Sequence, residues 1–243
     1  MMRSYWRAMC LFVVLLSLAA VRPSLSPPAR ATPLECGERF QCPMADAVVR
    51  LPANRASAVI IENGKNYTVI LGAAHAFDAN TSELGQYVSI DVPYEMGKTG
   101  RHEWGILLAV DYQADLALIW LDAHTRCAFH IADNTPNDSA EAWSIGYDSL
   151  NWPSVIDKTT IVGMTNKFSR PYLMTEHTVV GGRSGGAIVD VKTNRLVAIV
   201  YGCESGGQRR GLGNPLSAIK SFMQENADEL AKRRAAAKER YKK

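Results

Sequence analysis

An all-β fold in two halves, followed by a C-terminal helix, is what the amino-acid sequence predicts. From about residue 45 onward, short apolar runs alternate with turn signals, a spacing typical of a β-sandwich or of barrels. The dipeptide Asn63-Gly64 between two β-rich runs predicts a hairpin. After Pro215 the pattern changes to apolar residues at helical spacing and ends in a basic tail, which predicts a helix over 216–243.

The predicted strands form two series that are separated by a polar stretch. The first series contains AVVRL, SAVIIENGKNYTVILGAAHAF, YVSIDVPY, WGILLAVDY and DLALIWLD. The second contains AWSIGY, TTIVGMT, PYLMTEHTVV and GAIVDVKTNRLVAIVYG. The predicted boundaries are an N-terminal region with the first half at 32–130, a linker at 131–142, the second half at 143–215 and the helix with its tail at 216–243.

Residues 1–31 have the order of a secretory signal peptide. Arg3 and Arg7 precede an apolar run of 12 residues, and small residues ending in ARA follow. A membrane span needs about 20 apolar residues, so a cleaved signal is expected, with an uncleaved anchor as the alternative. Cleavage after Ala31 would deliver a secreted or periplasmic protein with no remaining membrane span.

Removal of this segment changes the charge of the chain. Four of its 27 basic residues and none of its 24 acidic residues would leave, so the mature chain carries a net charge of −1. The remaining excess of basic residues lies in the tail AKRRAAAKERYKK, a solvated helix end or a contact for an acidic surface or anionic lipid. Nucleic acid is therefore not expected as a partner.

Four cysteines remain after signal cleavage, and an even number in an exported chain favours two disulfides. Pairing of Cys36 with Cys42 would leave Cys127 with Cys203, whereas a tether from the N-terminal pair to Cys127 is the alternative. The spacings match no compact pair of zinc ligands, so no metal is expected.

Three polar residues at strand edges form a candidate catalytic set. His75 follows an apolar strand in TVILGAAHAF, Asp115 begins another in DLALIWL, and Ser184 lies in the loop GGRSGG. A serine hydroxyl is a weak nucleophile that needs an adjacent base, and the base needs an orienting carboxylate. The three residue types together predict nucleophilic hydrolysis without a cofactor.

Other interpretations of the glycine loop fit less well. A Walker-type phosphate loop needs a lysine that does not follow here, and a dinucleotide fingerprint needs a helix where AIVDVKTNRLVAIV indicates a hairpin. An α/β-hydrolase elbow also needs a following helix and requires its serine first, whereas Ser184 comes last of the three.

The three stretches resemble the motifs of trypsin-like, chymotrypsin-fold serine proteases. GAAHAF is similar to that family's Ala-Ala-His motif, DLALI to its Asp-[Leu/Ile]-Ala-Leu motif and GGRSGGAIV to its Gly-x-Ser-Gly-Gly motif, in the family's order. The likeness covers about residues 45–225 and is nearest to bacterial Deg/HtrA-type secreted proteases, here without a PDZ domain. It implies two six-stranded antiparallel β-barrels and a polypeptide substrate.

The resemblance also implies the role of each matched residue. Ser184 would be the nucleophile, His75 the general base, and Asp115 the residue that orients the imidazole. The backbone N–H groups of Gly182 and Ser184 would form the oxyanion hole. The implied substrate pocket comprises His177, Thr178, Val200, Tyr201 and Gly202.

Arg183 departs from the trypsin pattern. Trypsin-type enzymes have an aspartate there that pairs with a new N-terminal ammonium, and a cation would repel it. Activation by N-terminal insertion is therefore not expected. One hypothesis is that Arg183 pairs with a carboxylate such as Glu176 or Asp190 and fixes the loop. The other is that it marks an inactive homologue that binds peptides or a partner protein. The main prediction is an exported serine endopeptidase, with its oligomeric state left open.

Overall fold

The structure, a computed structural model, describes residues 43–79, 82–94, 98–177, 179–204 and 210–240. The predicted signal segment, Cys36, Cys42 and Thr178 lie outside the described residues.

Six antiparallel strands of the first half close into a barrel. They are β1 (Val48–Leu51), β2 (Ala56–Asn63), β3 (Thr68–Gly72), β4 (Tyr87–Tyr94), β5 (Lys98–Asp111) and β6 (Leu116–Leu121). Their order around the barrel is β1-β2-β3-β6-β5-β4, and β1 pairs with β4 to close it. The predicted hairpin at Asn63-Gly64 is present between β2 and β3.

The turn of this hairpin is longer than the two-residue turn that an Asn-Gly dipeptide often makes. Asn63 pairs with Thr68, so residues 64–67 form the loop, and the Gly64 N–H donates to the Tyr67 carbonyl at 2.8 Å. A Cβ atom on Gly64 would lie 2.2 Å from the Tyr67 ring, so only glycine fits under that ring.

The second half forms a second closed barrel of six antiparallel strands. They are β7 (Glu141–Gly146), β8 (Val155–Lys167), β9 (Arg170–Thr175), β10 (Ala187–Asp190), β11 (Leu196–Cys203) and β12 (Gly211–Pro215). Their order is β10-β11-β12-β9-β8-β7. The predicted all-β fold of two six-stranded antiparallel barrels is thus confirmed.

The two barrels share a hydrophobic cluster that holds their edges together. Val59 and Leu118 of the first barrel belong to the same cluster as Ile145 and Val189 of the second. Burying side chains of this size stabilises a fold by about 1.5–3 kcal/mol each. The connection between the barrels runs along the second one, where Ile131 forms a parallel bridge with Leu196.

Two helices follow the barrels instead of the single predicted one. They are α1 (Leu216–Glu225) and α2 (Ala227–Arg240), and Asn226 separates them. The side-chain amide of Asn226 donates to the Phe222 carbonyl at 2.8 Å, which satisfies a carbonyl at the end of α1. Among the described helices, none combines the length and the apolar content that crossing a bilayer requires.

The last dozen residues of the chain are mostly exposed in the described part of α2, but the helix also docks on the first barrel. Leu230 and Ala237 are buried, and the Asn66 side-chain amide donates to the Ala237 carbonyl at 2.6 Å. Arg234 pairs with Glu62, and the Arg240 guanidinium donates to Asp122 at 2.8 Å. The basic side chains therefore dock α2 onto carboxylates of the first barrel.

Candidate active site

The imidazole of His75 is held by the carboxylate of Asp115. β3 ends at Gly72, and the chain turns through a short 3-10 helix, Ala74–Ala76, that carries His75. The His75 Nδ1 lies 2.9 Å from Asp115 Oδ2 and 3.0 Å from Oδ1, and the His75 backbone N–H donates to Oδ1 at 2.7 Å. Because a carboxylate accepts, Nδ1 carries the proton and Nε2 keeps a lone pair.

Asp115 occupies the end of the turn between β5 and β6. Its φ is +56°, a left-handed conformation that aspartate tolerates better than most residues. The Asp111 carboxylate stabilises the turn by accepting the backbone N–H groups of Gln113 at 2.8 Å and Ala114 at 2.9 Å. This turn aims the Asp115 side chain at the start of the His75 helix.

A buried asparagine of the second barrel completes the surroundings of Asp115. The Asn214 side-chain amide donates to the Asp115 carbonyl at 2.8 Å and to its Oδ2 at 3.2 Å. Asn214 lies on β12, so this contact ties the carboxylate of the first barrel to the second. No motif predicted Asn214, although a lone amide in the apolar run GLGNPLSAI was a signal for it.

The Ser184 hydroxyl has a different partner from the one that catalysis requires. Its Oγ donates to the Tyr201 carbonyl at 3.1 Å, and within the described residues no hydrogen bond joins it to His75. Rotation about the Cα–Cβ bond, between staggered positions, would turn the hydroxyl away from Tyr201. Catalytic hydrogen bonds are often formed only in the substrate complex.

The Ser184 loop presents two backbone donors. Gly182 has a φ of +94°, and a Cβ atom there would lie 2.6 Å from the Tyr147 carbonyl oxygen, so glycine is required. In the described residues, the N–H groups of Gly182 and Ser184 have no hydrogen-bond acceptor. Paired backbone donors of this kind can stabilise an oxyanion.

Ser57 of β2 anchors this loop from the first barrel. Its hydroxyl donates to the Gly182 carbonyl at 2.8 Å and accepts the Tyr147 N–H at 2.9 Å, and its own N–H donates to the Ser184 carbonyl at 2.8 Å. No local sequence signal distinguishes Ser57 from other serines in strands, so its role was not predicted.

Arg183 is buried and bound by two carboxylates. Its Nε and Nη2 donate to Asp148 at 2.8 and 2.7 Å, and its Nη1 donates to Asp157 at 2.7 Å. Burial alone would lower the pKa of the guanidinium, but the hydrogen bonds and charges of the two aspartates raise it instead. Arg183 therefore stays charged.

The carboxylates proposed from the sequence as partners of Arg183 are not its partners. Asp190 ends β10, at the far end of the strand that follows the loop, and accepts the Thr193 N–H at 2.9 Å. Glu176 is exposed at the end of β9. The hypothesis of a carboxylate pair is right in kind and wrong in the residues named.

The segment that carries Asp148 also clamps the glycine loop through its backbone. A short 3-10 helix, Asp148–Leu150, follows β7, and its Ser149 N–H donates to the Gly181 carbonyl at 2.6 Å. The Arg50 guanidinium of the first barrel donates to the Leu150 carbonyl at 2.6 Å. Both barrels thus hold the segment against the Ser184 loop.

The predicted pocket residues differ in their distance from the catalytic set. Tyr201 is in contact with it, because its ring packs edge-on against the His75 ring at 5.3 Å. Val200 is buried and Gly202 is half-buried on the same strand. His177 is exposed, and its backbone N–H donates to Thr159 Oγ1 at 3.3 Å. Thr178 lies outside the described residues.

The cysteines do not follow the first predicted pairing. Cys203 is a free, exposed thiol at the end of β11, so the Cys127–Cys203 disulfide is wrong. Cys127 is buried in the cluster that the two barrels share. Cys127 lies within the segment that connects the barrels and is buried, whereas Cys203 ends β11 at the surface.

Comparisons with known proteins bear on the class of this chain. Residues 56–199 match the family model of the trypsin-like peptidase domain, and no curated protein sequence matches the chain. The serine endoprotease from Yersinia pestis superposes with a TM-score of 0.58 at 24% identity, over 74% of this chain and 62% of that one.

Two further solved structures share the fold. The MamO protease domain from Magnetospirillum magneticum superposes with a TM-score of 0.58 at 17% identity, over 74% of this chain and 96% of that one. A variant of the HtrA-type protease AlgW, solved with a tripeptide, has a TM-score of 0.62 at 19% identity, over 75% of this chain and 60% of that one. This chain spans less than two thirds of the Yersinia and AlgW chains.

The family match covers more than half of the chain and contains all three motif residues. The superpositions add that the fold of two closed barrels is the one found in HtrA-type proteases. The chain belongs to the trypsin-like peptidase domain family, the family of the trypsin-like serine endopeptidases.

Proposed function

We propose that this protein is an exported serine endopeptidase that hydrolyses polypeptides through an acyl-enzyme. The observation that carries the proposal is the His75–Asp115 pair, in which a buried carboxylate 2.9 Å from Nδ1 leaves Nε2 as the free base. Ser184, in the loop between β9 and β10, is the nucleophile. Tyr201 connects the two, since its ring contacts His75 and its carbonyl accepts from Ser184.

The reaction follows from these positions. The Ser184 hydroxyl turns from the Tyr201 carbonyl toward His75, gives its proton to Nε2 and attacks the scissile carbonyl carbon. The N–H groups of Gly182 and Ser184 donate to the oxyanion that forms. His75 then protonates the leaving amine, and a water molecule activated by the same imidazole hydrolyses the acyl-enzyme.

Export and disulfide pairing are further parts of this proposal. The signal-like order of residues 1–31 supports delivery to a periplasmic or extracellular space, where disulfides persist. With Cys203 free, we propose that Cys127 pairs with Cys36 or Cys42. Mass spectrometry of the mature protein, before and after reduction, would give both the new N-terminus and the pairing.

An inactive homologue that binds peptides in the same cleft is the second candidate function. The observation that favours it is the Ser184 hydrogen bond to the Tyr201 carbonyl, which occupies the hydroxyl away from His75. Arg183 no longer argues for it, because its two aspartates neutralise the guanidinium and hold the loop.

Labelling with a fluorophosphonate tests the two candidates directly. The purified protein should be labelled at Ser184, and Ser184→Ala should abolish the label. Ser217→Ala, an exposed serine of α1, is the matched control and should label like the unmodified chain. Folded protein that takes no label but still binds peptides would overturn the endopeptidase and favour the second candidate.

A further inference from the structure

One arginine beside the catalytic set is not used by the proposed mechanism. Arg170 begins β9, and its guanidinium carbon lies 4.8 Å from the centre of the Tyr172 ring and 4.9 Å from that of Tyr201. Because the Tyr201 ring also packs against His75 at 5.3 Å, a single aromatic ring separates the guanidinium from the imidazole. A half-buried cation therefore lies at the edge of the cleft.

The guanidinium is held in place by neutral groups. Its Nε donates to the Tyr172 hydroxyl, and its Nη1 donates to the Gln113 carbonyl at 2.9 Å. Gln113 belongs to the turn that carries Asp115, so the side chain bridges from β9 to the first barrel. Burial raises the pKa of Tyr172, so the phenol stays neutral and leaves the charge of Arg170 uncompensated.

No carboxylate within the described parts of the chain pairs with Arg170. Arg234 and Arg240 each bind one carboxylate and Arg183 binds two, so Arg170 differs from other ordered arginines of the fold. Its Nη2 also makes no hydrogen bond to a described residue. The Nη2 edge of the Arg170 guanidinium can therefore still donate hydrogen bonds to a ligand.

The acidic residue that follows β11, Glu204, already forms an ion pair with another cation. Lys167 of β8 pairs across the sheet with Arg170, so both cations stand on the same face of the hairpin. Glu204, just after β11, forms its ion pair with Lys167. Glu204 thus balances the charge of Lys167, and the charge of Arg170 has no carboxylate partner among the described residues.

A polypeptide could reach this position along an open strand edge. β10 pairs with β11 only as far as Ile199, so the part of β11 after Val200 has one edge without a partner strand among the described residues. An extended peptide adds readily to such an edge and presents alternate side chains to its surroundings. Tyr201 lies on this part, between His75 and Arg170.

Resting on the proposed function, we propose that Arg170 forms a substrate subsite that selects an acidic side chain close to the scissile bond. A planar guanidinium stacked on aromatic rings suits a carboxylate, because its fork donates two parallel hydrogen bonds. An aspartate or glutamate side chain of the bound polypeptide would supply the negative charge that no described residue provides for Arg170.

Paired peptides that differ only by Glu or Gln at one position test this subsite. At one position near the scissile bond, kcat/KM should favour Glu by about tenfold, the effect of one good charge-assisted contact. Arg170→Gln should reduce that ratio to about one. Arg170→Glu should reverse it toward a peptide with Lys at the same position. Thermal unfolding of each variant checks that the fold is retained.

Two matched variants distinguish Arg170 from its neighbours. Lys167→Gln combined with Glu204→Gln removes the facing ion pair without freeing its carboxylate. His177→Gln removes the exposed imidazole of the predicted pocket, and both variants should keep the ratio of the unmodified protein. A ratio that follows His177 or Lys167, or the absence of a preference at every position, would overturn the proposal.

Equilibrium binding separates this proposal from the failure of the proposed activity. Ser184→Ala protein should bind the Glu peptide about tenfold more tightly than the Gln peptide, with a difference that shrinks as salt is added. The double variant Ser184→Ala with Arg170→Gln should bind both equally. A subsite that binds in this assay stands even if no peptide is cleaved, and equal binding by Ser184→Ala alone rejects it.

Discussion

Two pairs of a basic side chain with a carboxylate flank Ser184, and they are exposed to solvent in opposite senses. In the His75–Asp115 pair, the imidazole is 41% exposed and the carboxylate 3%. In the Arg183–Asp148 pair, the guanidinium is 1% exposed and the carboxylate 27%. The basic side chain is thus exposed in the His75–Asp115 pair and buried in the Arg183–Asp148 pair.

This difference assigns the two pairs to different tasks. An exposed imidazole can exchange a proton with a substrate, and a buried carboxylate behind it fixes its tautomer. A guanidinium does not lose its proton in proteins and here has no face toward the cleft, so Arg183 can only hold the loop in place. Ionic pairing near a nucleophile is therefore not by itself a sign of catalysis.

The largest expected effect belongs to the exposed base and its carboxylate. Asp115→Asn should lower kcat by about 10⁴-fold with little change in KM, because the amide favours the wrong imidazole tautomer. Peptide hydrolysis under saturating substrate measures it. Asp138→Asn, an exposed aspartate on the connection between the barrels, is the charge-matched control. A loss of less than tenfold in kcat would remove Asp115 from the mechanism.

The buried cation should affect stability more than chemistry. Arg183→Met leaves Asp148 and Asp157 without a counter-charge, and breaking a buried pair costs about 3–5 kcal/mol in the free energy of unfolding. We expect the lower end, since both carboxylates reach water. Asp148→Asn should cost more than Asp157→Asn, because Asp148 accepts two hydrogen bonds and is less exposed than Asp157, which is 48% exposed.

Unfolding in denaturant, with fluorophosphonate labelling of the folded fraction, checks this order. The Asp157→Asn variant is the control within the same network. If Arg183→Met unfolds like the unmodified protein and labels faster, the guanidinium does not hold the loop, and the contrast between the two pairs fails.

The two pairs also differ in how far the sequence predicted them. Short motifs predict His75, Asp115 and Ser184, because each residue lies in a contiguous stretch next to a strand, and such a stretch can be recognised without knowing the fold. The partners of Arg183 lie 35 and 26 residues away in sequence, on a segment whose path depends on packing between the barrels. Asn214 is 99 residues from Asp115, and only the closed barrels bring them together.

The C-terminal tail shows the same limit of prediction from sequence, since its partners also lie far away along the chain. Its composition indicated a solvated, basic helix end, and charge alone could not reveal Glu62 and Asp122 on the barrel surface. Ala237 follows Leu230 by seven positions, a spacing that places both on the barrel side of α2. Local periodicity thus predicted the helix, whereas its docking required the position of the first barrel.

The smallest expected effect concerns a third pair, Glu62 with Arg234, in which both partners are about a third exposed. Burial raises the pKa of the Glu62 carboxyl, but hydrogen bonds from Arg234 and Tyr67 outweigh it and hold the pKa below its ordinary value of 4.5. A depressed pKa contributes stability that is present above the ordinary value and is lost as the pH falls below it. For exposed pairs this contribution is at most about 1 kcal/mol.

Docking of α2 should therefore loosen as the pH falls below about 4.5, the ordinary pKa of glutamate, while the barrels stay folded. Hydrogen exchange of the α2 amides should become faster over that range, relative to amides of β3. Glu62→Gln should reduce this pH dependence. Adding Asp122→Asn should remove most of what remains, because burial raises the pKa of the Asp122 carboxyl but hydrogen bonds from Arg240 and Trp120 hold it below its ordinary value. Glu229→Gln breaks the pair that Arg233 makes within the helix, at 2.9 Å, and should leave the docking intact. Equal acid sensitivity in the unmodified chain and in Glu62→Gln would show that packing of Leu230 and Ala237, and not the ion pair, holds the helix.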